Sequence, residues 1–156
     1  FSRSRGLGDV YKRQVIDHKT CLDLFSGTGS LGLESLSRGA HKVTFIEKNF
    51  EHFDKLKSYI EKLDAIEDIS IINKDVLAWL DEANDEFDLI FVDPPFYEQL
   101  AEKVLLKIKT KSLLAKCGNI YLEVEKDLDL SFLENNWEVI KETNSGKKQY
   151  LLLKEK

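Results

Sequence analysis

From residue 20 onward, short apolar runs alternate with amphipathic stretches. Residues 20–25 (TCLDLF) read as a buried strand, followed by a glycine-rich turn and a helix to about Arg38. Residues 42–47 (KVTFIE) predict a second strand. Phe53, Leu56, Tyr59, Ile60 and Leu63 then keep helical spacing between Phe50 and Leu63. A third strand is expected at 69–73 (ISIIN), with a short helix around VLAWLDEA. A fourth covers 87–92 (FDLIFV), with a helix from about Glu98 to Thr110, and a fifth covers 119–125 (NIYLEVE). The tail, WEVIKET then GKKQYLLLKE, flanks a turn at Asn144-Ser145-Gly146 and reads as a terminal antiparallel hairpin.

Strand and helix alternating in this way imply an α/β fold: a mainly parallel sheet, seven strands with the hairpin, and helices on both faces. In such sheets ligands bind beyond the carboxyl ends of the strands, where the strand order reverses. The residues that follow strands one to four are therefore the ones to read for chemistry.

Composition narrows the class. At 156 residues, 42% hydrophobic and 33% charged, the chain has the size and balance of one globular domain. No apolar run is long enough to span a bilayer and no secretory pattern opens the chain, so the expected compartment is the cytoplasm. Cys21 and Cys117 stand far apart, with no CxxC and no histidine cluster, so both are expected to be buried strand thiols and no metal site is expected.

Charge divides unevenly. Residues 1–14 (FSRSRGLGDVYKRQ) hold Arg3, Arg5, Lys12 and Arg13 against Asp9; removing that +3 from the total of −5 leaves −8 for residues 15–156. The opening segment lacks apolar periodicity, and GLGDVYKRQ resembles translated adaptor sequence. It reads as a non-native leader to a domain at 15–156, with a basic nucleic-acid-binding arm as the alternative.

Four strand ends carry candidate chemistry. Gly27, Gly29 and Gly32 form G-x-G-x-x-G, which lets backbone approach a ligand at a helix N-terminus. Glu47, twenty residues beyond Gly27, can take both hydroxyls of an adenosine ribose. Asp75 could accept from an adenine amine while Val76 lines the ring, or could cap the helix behind it. Asp93-Pro94-Pro95-Phe96 contains both of the chain's prolines. These make a stiff extended loop presenting a carboxylate, backbone carbonyls and one ring.

Together these motifs resemble class I S-adenosylmethionine-dependent methyltransferases, which have a Rossmann-like fold. D-P-P-F is similar to the [D/N]-P-P-[F/Y/W] signature of enzymes that methylate exocyclic or amide nitrogens. More narrowly, LDLFSGTGSLGLESLSRGA, FIEKN, FDLIFVDPPF and the closing W…G…Y.L resemble the RsmD family, which methylates guanine N2 in 16S ribosomal RNA.

The resemblance implies cofactor contacts at Asp23, Phe25, Gly27, Gly29, Glu47, Lys48, Asp75 and Val76. It implies an acceptor site at Asp93, Pro94, Pro95 and Phe96, with Asp93 and the Pro94 carbonyl accepting from the target amine and Phe96 stacking on the base. It also implies ribosomal RNA or a small-subunit particle as partner, and a monomer. The basic G-x-x-x-G-R hairpin and P-T-x-x-x-R segment usual at the family's N-terminus are not matched here, so a weakened grip on RNA is expected. DNA adenine-N6 and protein amide methylation remain open, because the motif selects an NH₂ group and not its carrier. A nicotinamide-dependent dehydrogenase would share Gly27, Gly29, Gly32 and Glu47 but has no use for D-P-P-F.

Overall fold

A computed structural model describes residues 16–63 and 68–156; the reading of residues 1–14 as a leader lies outside them. Seven strands form one sheet in the order β3-β2-β1-β4-β5-β7-β6. The strands are β1 (Thr20–Asp23), β2 (Lys42–Ile46), β3 (Ile69–Ile72), β4 (Phe87–Val92), β5 (Leu114–Glu125), β6 (Trp137–Ser145) and β7 (Lys148–Glu155). Helices α1 (Ser30–Ser37), α2 (Phe50–Glu61), α3 (Val76–Glu82) and α4 (Leu100–Thr110) join the parallel strands. β1 to β5 pair in parallel, and β7 runs antiparallel to both β5 and β6. No helix among the described residues is long and apolar enough to cross a membrane.

The alternation of strand side chains divides the core in two. Leu22, Ile90, Ile120 and Leu122 face α3 and α4, meeting Leu80, Val104 and Ile108. Their neighbours Cys21, Leu89, Phe91 and Tyr121 face α1 and α2, meeting Leu31, Leu56 and Ile60. Because both sheet faces are covered, the central strands bury apolar residues on both faces rather than on one alone. β4 is the clearest case, with five of its six residues buried.

β1 pairs with β2 on one side and β4 on the other, so the strand order reverses there. The carboxyl ends of β1, β2 and β4 thus converge on one crevice, the position where open α/β sheets bind ligands.

Gly32 fixes how closely α1 sits on the sheet. A Cβ at this position would overlap the ring of Phe45, which is fully buried on β2. Gly32→Ala should therefore destabilise the fold by about 2–3 kcal/mol, lowering the melting temperature by roughly 5–10 °C. An unchanged melting temperature would contradict this packing.

Three expectations need correction. β5 starts at Leu114, five residues before the predicted start, and its register against β4 jumps between Phe87 and Leu89. The irregularity places Cys117 at φ 67° and in solvent, so only Cys21 is a buried thiol. Burial pushes the Cys21 thiol up to about 12, with the carboxylates of Asp88 and Asp23 adding to the rise. A thiol reagent at neutral pH should label Cys117 alone in the native protein and both cysteines after unfolding; two rapid native equivalents would contradict the assignment. In the hairpin, β6 runs on through Ser145 and the chain reverses at Gly146-Lys147, with Gly146 at φ 61°. A two-residue hairpin with positive φ at its first central position selects glycine, which sets the turn later than expected.

Candidate active site

The glycine loop is held from below by β2. The Ser26 backbone N–H and hydroxyl both donate to the Ile46 carbonyl, at 3.1 Å each. Gly27 N–H donates to Glu47 Oε1 at 2.7 Å. Gly27 has φ 55°, and a Cβ there would meet no heavy atom within 4 Å, so its open side faces the cleft. Gly29, also left-handed at φ 88°, is different: a Cβ on it would strike Leu56 of the core. Asp23 is buried and its Oδ2 accepts from Gly32 N–H at 3.0 Å, pinning the first turn of α1 to the end of β1. Asp23 and Gly29 shape the loop from behind, and neither lines the cleft.

Glu47 ties two loops together. Its Oε1 holds Gly27 N–H, while its Oε2 accepts from Asn49 N–H at 2.7 Å. Asn49 in turn caps α2 by accepting from His52 N–H at 2.9 Å. His52 Nδ1 stands 3.9 Å from Glu47 Oε2. Each carboxylate oxygen carries a second lone pair, so the group can hold the loops and still accept from a ligand in the cleft. Asn73, just past the end of β3, fixes the same turn by donating to the carbonyls of Glu47 and Lys48 at 2.9 and 3.0 Å.

Asp75 is the N-cap of α3, with Oδ2 accepting from Ala78 N–H at 3.1 Å. Val76, nearly fully buried, forms the adjoining cleft wall. Capping uses one oxygen and leaves the other free of that task, so both readings of Asp75 are sterically compatible.

The D-P-P-F loop closes the opposite side. Beyond it, Tyr97 and Gln99 adopt left-handed φ of 62° and 54°, uncommon for residues with a Cβ. Tyr97 N–H donates at 2.6 Å to Oε2 of Glu125, a largely buried residue at the end of β5. That bond anchors the loop to the sheet. Phe96 packs edge-on against Tyr97, with ring centroids 5.9 Å apart. Lys148 Nζ lies 5.9 Å from the Phe96 centroid and 2.8 Å from Glu123 Oε1.

One cleft of about 770 Å³ brings these groups together. Phe25, Gly27, Glu47, Lys48, Asp75 and Val76 line it together with Asp93, Pro94, Pro95 and Phe96. Asn49, His52 and Lys148 also line it, and sequence reasoning passed over all three. Asn49 had a local signal as a capping residue directly before an amphipathic helix. Lys148 had none, being more than fifty residues from the loop it faces.

A protein-family model described as "Conserved hypothetical protein 95" matches residues 8–154. The chain is 39% identical over 140 residues to ribosomal RNA small subunit methyltransferase D of Haemophilus influenzae, covering 88% of this chain and 72% of that one. It is 33% identical over 138 residues to the protein of the same name from Escherichia coli, covering 88% and 69%. A solved Escherichia coli structure, provisionally named a methyltransferase, superposes with a TM-score of 0.88 at 30% identity, covering 99% of this chain and 85% of that one.

Proposed function

The chain belongs to the ribosomal RNA small subunit methyltransferase D family, and from that premise we propose that it transfers a methyl group from S-adenosylmethionine to an exocyclic amino nitrogen of ribosomal RNA. The acceptor is guanine N2 in the 16S molecule, either as RNA or within a small-subunit particle, and the chain acts as a monomer in the cytoplasm. The observation that carries this reading is that the glycine loop with Glu47 and the D-P-P-F loop open onto one cleft.

The residues present fit the cofactor. The cleft volume is in the range that holds a nucleoside-sized ligand. The open side of Gly27 lets backbone approach the amino-acid end, and a side chain there would fill that space. Glu47 accepts from the ribose hydroxyls, and Asp75 with Val76 borders the adenine. When bound, S-adenosylmethionine supplies an activated methyl group on a positively charged sulfur.

The chain's own task is to prepare the acceptor. An aromatic amine delocalises its lone pair into the ring and is a poor nucleophile. Asp93 and the Pro94 carbonyl accept its two hydrogens, drawing the nitrogen toward tetrahedral geometry and localising the pair. Phe96 stacks on the base and fixes its plane. The amine proton becomes acidic once the nitrogen carries the new methyl group, so Asp93 orients and stabilises without acting as a strong base. A paired base inside a duplex cannot reach this loop, so the target is unpaired or flipped out.

The test is tritiated methyl transfer to small-subunit particles, naked ribosomal RNA, DNA and protein in parallel, with the labelled base mapped. Label in guanine of ribosomal RNA is the expected outcome. Label confined to DNA or protein would replace the substrate assignment. In a parallel melting assay S-adenosylhomocysteine should stabilise the protein and NADH should not; the reverse would reject the cofactor.

A further inference from the structure

Lys148 occupies a place that the reaction described above leaves unused. It begins β7, and the β5–β7 register sets it opposite Glu125, whose carboxylate anchors the loop after Phe96. Its ammonium sits on the wall of the same cleft as Asp93 and Phe96. Nζ is 2.8 Å from Oε1 of Glu123, whose side chain is 2% exposed against 37% for Lys148. The Tyr121 hydroxyl stands 3.5 Å from the other Glu123 oxygen. A buried carboxylate therefore holds this lysine at the wall, where an ordinary surface lysine would extend into solvent.

We infer that Lys148 is a specificity-determining residue of the acceptor site, donating a hydrogen bond to a carbonyl oxygen on the target base. This rests on the reading of the site as an exocyclic-amine methyltransferase. An ammonium has three N–H donors and no acceptor. Glu123 Oε1 takes one, which leaves donors to meet a base placed against Phe96 with its amine at Asp93. Nζ lies over the Phe96 ring, 5.9 Å from its centroid and within cation–π reach, so a base that packs against this ring comes up to the ammonium.

A pure donor at this point favours a base that carries a carbonyl as well as an amine. Guanine has O6 two positions around the ring from the carbon that bears N2. Adenine has no carbonyl, and two ring positions from the carbon that bears its amine it presents C2–H, so the ammonium would face no acceptor at the place where guanine offers O6. Lys148 thus separates guanine from adenine, a choice that Asp93, Pro94 and Phe96 cannot make because they read only the amine and the ring face.

2-Aminopurine provides the test, since it keeps the 2-amine and lacks the 6-carbonyl. The methylated guanine is mapped in ribosomal RNA and replaced by 2-aminopurine through ligation, and single-turnover transfer is measured with the full chain in excess. The parent protein should prefer guanine. Lys148→Met, combined with Glu123→Gln so that no buried carboxylate is left without its cation, should shrink that preference by roughly ten- to hundredfold. Lys148→Arg, which restores a cationic donor, should retain most of it. 2-Aminopurine also changes N1 from donor to acceptor, so only the part of the preference that disappears with the ammonium counts.

An equal loss on both substrates with a shallower salt dependence would identify a phosphate contact and overturn the inference. An unchanged preference in a folded double variant, verified by its melting curve, would also overturn it. Absence of label in guanine with the parent protein would instead reject the function, and the inference with it.

Discussion

Asp93→Ala is expected to lower methyl transfer by about 10²- to 10⁴-fold while leaving S-adenosylhomocysteine affinity within roughly threefold. The asymmetry follows from where Asp93 stands. It follows the end of β4, which lies across β1 from the β2 end that carries Glu47 and its bond to Gly27. Pro94 and Pro95 restrict the local backbone, and the Tyr97–Glu125 bond anchors the loop's far end. With those restraints kept, deleting the carboxylate should remove one acceptor from the target amine. Asp93→Asn tests the charge separately. It keeps one acceptor oxygen of the same shape and should retain more activity than alanine. Single-turnover rates and calorimetric titration of the same variants decide the matter. Parallel loss of binding and transfer would move Asp93 to the cofactor side and remove it from the chemistry.

Glu47→Ala should weaken S-adenosylhomocysteine binding by about a hundredfold or more and lower the melting temperature as well. The carboxylate does two jobs at once. It satisfies Gly27 N–H and Asn49 N–H, both at 2.7 Å, and it borders the cleft at the place proposed for the ribose. Losing its two charge-assisted bonds costs roughly 2–4 kcal/mol, which for a domain of this size is a drop on the order of 5–15 °C. Gly27→Val supplies the contrast. Its φ of 55° strains a β-branched residue, yet its Cβ would point into open cleft, so the affinity loss should be large and the thermal shift smaller. If Glu47→Ala bound the cofactor product normally, the ribose assignment would be wrong whatever happened to stability.

The glycine triplet shows how one motif covers several physical tasks. Gly27 leaves room for a ligand, Gly29 avoids Leu56, and Gly32 avoids Phe45. The spacing G-x-G-x-x-G was plain in the chain. That its second and third members serve packing became plain only when α1 and α2 were seen against β2. Asp23 shows the same division: its place before the glycines was legible, while its bond to Gly32 N–H depends on how α1 starts.

Periodicity and turn residues by themselves determined the order and kind of the elements, the two-sided core and the succession of motifs at strand ends. These are local properties: a side chain's face follows from its position in a strand or helix, and β4 was legible to its exact bounds because five of its six residues are apolar. The tertiary structure decided everything that depends on strand order and register. The reversal between β1 and β4 gathers four distant loops into one cleft. The jump in β5 pairing carries Cys117 into solvent. The β5–β7 register sets Lys148 opposite Glu125 and lets its ammonium reach Glu123 and the approach to Phe96, across separations of 23, 25 and 52 residues in sequence. No local pattern encodes those meetings, because they arise from which strands pair and in what alignment, which is settled by burying the whole sheet at once.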